Sequence, residues 1–326
     1  MNNEITSLDL SKNTVTTTSR TSNNNKLEYD YLIIALGAEL VPEQINGFQE
    51  NGSCFNVYDA QQVPYLREKI LLLKGGRIVI CITDIPYKCP PAPYEIALLI
   101  SDILTKNGTR ASIDLEIYVP TPISLPVAGA NISQHVVRLL NDKRIKFHPL
   151  HKLKRVLDKK TIEFENDNKI NYDLLIVIPP HRVPKVIRVS DLLLVDNNKQ
   201  RWISVDRFTL RTTKYENVFA IGDVIEIRLD GAITIPKAGI FAEGEAKVVS
   251  QQIINEITNN MNKNRASKFD GKGFCFMEIG GKMAGYIDAD LYNGAGPNVR
   301  LDPPSEKLYQ RKLEFEKSRL NEWLNN

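Results

Sequence analysis

No run of about 18 apolar residues occurs in this 326-residue chain, so none of it is expected to span a membrane. The polar opening Met1-Asn2-Asn3-Glu4 lacks the apolar core of a signal peptide. An excess of one charge is lacking too. The 42 basic residues face 39 acidic ones, a net +3, and no basic stripe with interleaved aromatics appears, so no nucleic-acid partner is expected. Cysteine is scarce: Cys54, Cys81, Cys89 and Cys275 lie far apart and form no C-x-x-C pair. None stands at ligand spacing from His135, His148, His151 or His181, which argues against a metal site. His148 and His151 read as a solvated loop pair. In a reducing compartment a disulfide among these cysteines would be catalytic rather than structural. The expected location is cytoplasmic or peripheral to the cytoplasmic membrane.

What is present is an ordinary globular composition, 42% apolar and 25% charged, with length enough for two or three domains. The most informative stretch runs from Gly75 to Ile100. The β-branched run Ile78–Ile82 passes through a proline-rich turn into Tyr94–Leu104, whose apolar residues keep helical spacing, so strand, loop and helix are expected in that order. In a dinucleotide-binding unit the loop would be glycine-rich, because only glycine lets the backbone close on a pyrophosphate. Here Pro86, Pro90, Pro91 and Pro93 stiffen the turn and remove amide donors. The loop presents a thiol instead. Cys89 sits beside Lys88, ahead of the positive end of the helix, where a lowered pKa is expected. Cys81, inside the apolar strand, reads as a small buried hydrophobe.

Taken in order, residues 1–25 read as an edge hairpin followed by a polar turn at Ser19–Asn25. Leu27–Ala38 contains a continuous apolar run stopping at Gly37, the pattern of a buried parallel strand whose C-terminal end faces a ligand. Further strands are expected at Leu115–Val119, Ile145–His148 and Tyr172–Ile178, with a helix around Val136–Leu140 and a hairpin over Val156–Phe164. This alternation implies a parallel sheet with right-handed crossovers. Trp202–Asp206 and Val218–Asp223 return to a second strand ending in glycine. Pro236–Glu245 opens a helix running to about Ile257, with proline in its first turn. Asn262–Lys268 is a polar linker, Phe269–Ile287 a hairpin, and the tail from Ser305 a charged helix with an apolar stripe. That stripe is expected to dock on its own domain or a second subunit, the other option being a membrane surface.

The stretches Tyr29–Gly37 and Val218–Asp223 resemble the glycine-ended strands of flavoproteins that carry two dinucleotide-binding domains. Together with Pro86-Tyr87-Lys88-Cys89-Pro90-Pro91-Ala92-Pro93-Tyr94-Glu95, Pro236–Gly239 and Gly273–Glu278, they resemble the sulfide:quinone oxidoreductase and flavocytochrome c sulfide dehydrogenase family over nearly the whole chain. The resemblance implies an α/β fold: two Rossmann-like dinucleotide-binding domains, the first N-terminally truncated, and a small C-terminal α+β domain. The expected division is 1–69 with 191–260 for the FAD-binding type, 70–190 for the NAD-like domain carrying the cysteine loop, and 261–326 for the C-terminal domain.

The resemblance further implies that Cys89 and Cys275 form a redox pair beside a flavin, attacked by sulfide, with a quinone or a cytochrome as electron acceptor. Glu95 and Glu278, each near a reactive cysteine in sequence, are the candidate proton acceptors. Ala35, Gly37, Gly222, Asp223, Pro236, Lys237, Ala238 and Gly239 are the candidate FAD-binding residues. Cys54 resembles the position of a further cysteine of some quinone-using members. One departure stands out: residues 1–28 contain no Gly-x-Gly-x-x-Gly, so the pyrophosphate cradle of the family is missing and weak or absent FAD binding is expected. Either the start is misplaced or the chain is truncated and completed by another polypeptide. The alternative function is accordingly a truncated, non-catalytic homologue serving as a subunit or binding module; a homo-oligomer or a completing subunit is the expected assembly. An NADH-oxidising flavoenzyme is set aside because the proline loop cannot replace a glycine-rich one.

Overall fold

The computed structural model of the chain describes residues 3–19, 25–49, 52–196, 199–229, 233–258, 267–294 and 296–324. The middle of the expected polar turn (20–24) and most of the expected linker (262–266) lie outside the described residues. The chain forms two compact units: unit 1 is Met1–Glu39 with Arg182–Lys272, and unit 2 is Leu40–His181 with Gly273–Asn326. The helices are α1 (Val63–Leu72), α2 (Ala92–Lys106), α3 (Gly129–Asp142), α4 (Lys185–Arg188), α5 (Gly239–Ile257) and α6 (Glu306–Leu324).

Unit 2 is built on a 5-stranded sheet in the order Cys54–Asn56, Leu174–Ile178, Gly76–Ile82, Ile113–Tyr118, Ile145–His148, with every pairing parallel. Alternation along the central strand sends its side chains to two cores. Ile78, Ile80 and Ile82 join Tyr94, Leu98, Val136 and Leu140 on the face covered by α2 and α3. Val79 and Cys81 pack with Leu153, Ile162 and Phe164 of an antiparallel meander on the other face. Each fully buried isoleucine contributes about 2 kcal/mol of apolar transfer, which is why both faces of a parallel sheet need a cover.

His148 and His151 differ from the solvated pair expected of them. His148 closes a strand and stacks on Tyr118 with ring centroids 4.2 Å apart, and His151 meets Phe164 edge-on at 5.1 Å. The His151 amide donates to the Val119 carbonyl at 2.9 Å, which folds the loop back onto the sheet and packs both rings.

The C-terminal part of unit 2 is an antiparallel sheet of Lys272–Gly280, Met283–Asp290 and Asn298–Ser305, with α6 following. Met277 and Ile287 enter the same core as α2. The hairpin turn is fixed there by Asp102 of α2, whose carboxylate accepts the Gly281 amide at 3.2 Å. Gly280 makes this approach possible: at φ +80 a Cβ would lie 2.5 Å from Asp102 Cβ. On α6, Leu308 is buried and Phe315 packs on Phe274 at 5.3 Å, so the tail docks on its own sheet. Trp323 and Leu324 at its end stay exposed.

Unit 1 holds a 3-stranded antiparallel sheet from its N-terminal residues, Asn3–Asp9, Thr14–Ser19 and Asn25–Glu28, and the parallel pair Leu32–Ile34 with Val218–Ala220. Because Ile34 pairs with Ala220, the two strands end level, and Ala35–Gly37 and Gly222–Asp223 emerge at the same end. α5 packs on the 3-10 turn Gly222–Val224 that follows.

Candidate active site

In unit 2 the loop after the central strand rises at the carboxyl end of the sheet. Thr83 ties its start to the adjacent strand by donating twice to Ile178 O, at 3.1 Å through its amide and 2.8 Å through its hydroxyl. Tyr58 donates to Lys88 O at 2.7 Å, Tyr87 to Pro90 O at 3.2 Å, and the Lys88 amide meets His181 Nε2 at 3.4 Å. Lys88 carries its ammonium over the Tyr58 ring, 5.8 Å from the centroid. Between these anchors Cys89 is held at φ +52, a left-handed conformation costing a non-glycine residue about 1 kcal/mol. Such strain concentrates at functional positions. The Cys89 carbonyl accepts the first amide of α2, Ala92 N, at 2.9 Å, which leaves the thiol just ahead of the helix.

Cys275, on the strand Lys272–Gly280, comes into hydrogen-bonding contact with Cys89, and both are partly buried. Its sulfur also lies 3.1 Å from Phe276 O. The contact with Cys89 pushes the Cys275 thiol well up, burial and the Glu95 charge add to this, and Lys312 opposes it. The other two cysteines are outside the site. Cys54 is 2% exposed with its sulfur 3.1 Å from the Tyr172 hydroxyl, and burial pushes its thiol up. Burial takes Cys81 to about 12.

Glu95 and Glu278 meet beside this pair. Glu95, in the first turn of α2, accepts the Glu278 amide at 3.2 Å, and Lys312 of α6 reaches both carboxylates, Glu95 at 3.3 Å and Glu278 at 2.6 Å. Burial raises the Glu95 carboxyl above the usual range despite the Lys312 charge. Burial lowers Lys312, but its bonds to Glu278 and Glu95 outweigh this and leave it raised. Lys312 was the residue that sequence reasoning passed over. Its signal was a lysine on the same helical stripe as Leu308 and Phe315, where a solvated lysine would not be placed. On the opposite side of the strand from Cys275, Phe274 and Phe276 cluster with Tyr286 and Phe315, at centroid separations of 5.2 to 6.1 Å.

In unit 1 the candidate FAD-binding residues gather at the level ends of the parallel pair. Gly222 turns at φ +75, where a Cβ would press to 3.3 Å on Ala242, so side-chain bulk is kept off this turn. Its amide donates to Glu245 at 2.6 Å. Pro236, Lys237 and Ala238 line a cleft with Gly222, and α5 starts at Gly239 without a side-chain cap, leaving its first amides directed out of the helix end. Ala35 is exposed, and the Cβ direction of Gly37 opens on free space. A glycine turn, an acid at Asp223 and an uncapped helix start fit the ribityl chain and pyrimidine edge of a flavin. Lys237 is placed differently from a flavin-facing cation: it is buried, donates to Asp223 O and Ile225 O at 2.8 Å each, and lies 3.5 Å from the Trp202 ring centre.

Residues 64–179 match the family model described as sulfide dehydrogenase [flavocytochrome c] flavoprotein chain, central. The mitochondrial sulfide:quinone oxidoreductase of Dictyostelium discoideum is 29% identical over 213 residues, 62% of this chain and 46% of that protein. The sulfide-quinone reductase of Aquifex aeolicus is 28% identical over 301 residues, 89% of this chain and 67% of that protein. The chain thus spans about half the length of the mitochondrial relatives it matches. The X-ray structure of the Aquifex aeolicus sulfide:quinone oxidoreductase superposes with a TM-score of 0.80 at 24% identity, over 100% of this chain and 79% of that one. An NAD-dependent persulfide reductase from A. fulgidus superposes at 0.60 and 17% identity, over 90% and 50%. Two dinucleotide-binding-type folds, a proline-walled cysteine loop and these matches agree: the chain is similar to the sulfide:quinone oxidoreductases and to the flavoprotein chain of flavocytochrome c sulfide dehydrogenase.

Proposed function

We propose that this chain works as a flavin-dependent oxidoreductase that oxidises sulfide through Cys89 and Cys275 and passes the electrons to a quinone. The observation that carries the reading is the contact between two thiols drawn from opposite ends of unit 2, one on a strained loop and one on a docked hairpin. When the pair is joined as a disulfide, hydrosulfide attacks one sulfur. A new S–S bond makes that cysteine a persulfide, the Cys–Cys bond breaks, and the other sulfur leaves as thiolate. A second hydrosulfide attacks the outer sulfur, releases HSSH and leaves the second thiolate. Closing the two thiolates again to a disulfide releases two electrons.

FAD, when bound, supplies the two-electron acceptor for that closure. Gly37, Gly222, Asp223 and the start of α5 are the residues of unit 1 that would hold it. Glu95, raised by burial, is suited to take the proton from hydrogen sulfide and so deliver the attacking anion. The aromatic cluster of Phe274, Phe276, Tyr286 and Phe315, on the other side of the strand that carries Cys275, favours a flat apolar acceptor such as a quinone over a cytochrome.

The test is the absorbance of the purified, FAD-reconstituted protein under anaerobic conditions. Sulfide is expected to bleach the flavin band while NADH does not, and Cys89→Ser is expected to abolish the bleaching. Retained bleaching in Cys89→Ser, or failure to take up FAD, overturns the reading.

A further inference from the structure

α6 does more than cover a sheet. Its Lys312 is the cation placed between the two carboxylates of the thiol site, 3.3 Å from Glu95 Oε1 and 2.6 Å from Glu278 Oε2. Those carboxylates sit on different elements, the first turn of α2 and the strand that carries Cys275. The Glu278 amide also donates to Glu95 Oε1 at 3.2 Å. Lys312 itself is held in place by its own helix, where Leu308 is buried and Phe315 packs on Phe274 and Phe276.

We propose that Lys312 is a positioning residue of the thiol site: its ammonium clamps Glu95 to Glu278 and is the positive charge that faces the Cys275 sulfur as it becomes a thiolate. This rests on the reading of Cys89 and Cys275 as the redox pair. The groups that act on Cys275 are Cys89 from the proline loop, Glu95 from α2 and Lys312 from α6, while Glu278 lies on the other side of the Cys275 strand and bears on the site through Lys312. Among these, Lys312 is the one whose charge eases ionisation of Cys275, whereas Cys89 and Glu95 oppose it. With Lys312 neutralised, the Glu95 carboxylate that already opposes the Cys275 thiolate would lose its partner, and the cation that favours the thiolate would be gone.

The experiment follows alkylation of the thiols by iodoacetamide as a function of pH, with Cys275 and Cys89 resolved by peptide mass spectrometry. Lys312→Met is expected to slow Cys275 alkylation near neutral pH by about tenfold, equivalent to moving its titration up by about one pH unit. Lys312→Arg, which keeps the charge, is expected to restore most of the rate. Glu278→Gln, which removes one tether and keeps the lysine, is expected to speed Cys275 alkylation slightly and serves if Lys312→Met does not fold. An unchanged Cys275 pH profile in Lys312→Met, or a Glu278→Gln profile moved upward, overturns the proposal. Because alkylation needs neither sulfide nor flavin, a wild-type protein that sulfide fails to bleach would sink the sulfide reading without altering this result.

Discussion

Replacing Lys237 tests the electrostatics of unit 1 most directly. The side chain is 6% exposed, and burial holds its ammonium down to about 7 from an ordinary 10.5, against the pull of Asp223, Glu226 and Glu245. Between those two values the unfolded chain keeps a proton that the folded chain has released, so stability rises with pH across the window. At ~1.36 kcal/mol per pH unit the full gap corresponds to about 5 kcal/mol, of which about 3 kcal/mol falls between about pH 7 and about pH 9.5. Lys237→Met keeps the apolar stem over Trp202 and removes the titrating group. The measurement is the difference between wild-type and variant urea unfolding free energies at stepped pH. Wild type minus variant should rise steadily toward the alkaline end, because only the wild type gains. Glu245 acts on the other side of neutrality: burial lifts its carboxyl from 4.5 to about 7, so the folded chain holds a proton that the unfolded one has lost, and stability falls as pH rises through that range. Glu245→Gln should therefore flatten the acidic window alone. A Lys237→Met curve parallel to wild type above neutrality would refute the assignment of that slope to this buried amine.

Gly280→Ala should cost about 3 kcal/mol in urea unfolding, because a Cβ at φ +80 would lie 2.5 Å from Asp102 Cβ, and a loss under about 1 kcal/mol would mean that the hairpin turn does not dock on α2 as described. Mild oxidation with diamide should join Cys89 to Cys275 and leave Cys54 and Cys81 reduced, since the latter two are buried with raised thiols. Peptide mapping of the oxidised chain checks this, and a bridge to Cys54 would count against the pair.

Much of this architecture was legible in local chemistry. The β-branched runs at Ile78–Ile82 and Leu174–Ile178 announced parallel strands because both of their faces need apolar neighbours, and neither can be satisfied by a solvated hairpin. Cys89 stood out because a thiol among four prolines has no packing reason to be there. Reading failed where a residue's role depends on elements distant in sequence. Lys312 looked like one charge among many on a charged helix; only the docking of a hairpin on α2 brings Glu95 and Glu278 within its reach. His148 and His151 looked polar because their neighbours in sequence are, whereas the ring that covers His148 belongs to Tyr118 on the adjacent strand. The strand expected over Tyr29–Gly37 shrank to Leu32–Ile34, since a partner, Val218–Ala220, exists for only that length.

The position of the thiol loop in unit 2 follows from the order of the sheet. From Gly76–Ile82 the chain moves outward through Ile113–Tyr118 to Ile145–His148, then crosses back to lay Leu174–Ile178 on the opposite side of Gly76–Ile82. The crevice above the carboxyl ends of those two strands is where connections diverge, and in open α/β sheets that divergence is where ligands are bound. A glycine loop there would wrap a pyrophosphate with backbone amides. The prolines remove those amides, and Thr83, Tyr58 and His181 tie down what remains of the loop. The loop therefore carries a thiol just ahead of the start of α2, where a glycine loop would carry amides. Once the loop is rigid, a second thiol can meet Cys89 only if it arrives on an equally rigid element, and the Asp102-docked hairpin bearing Cys275 meets that requirement.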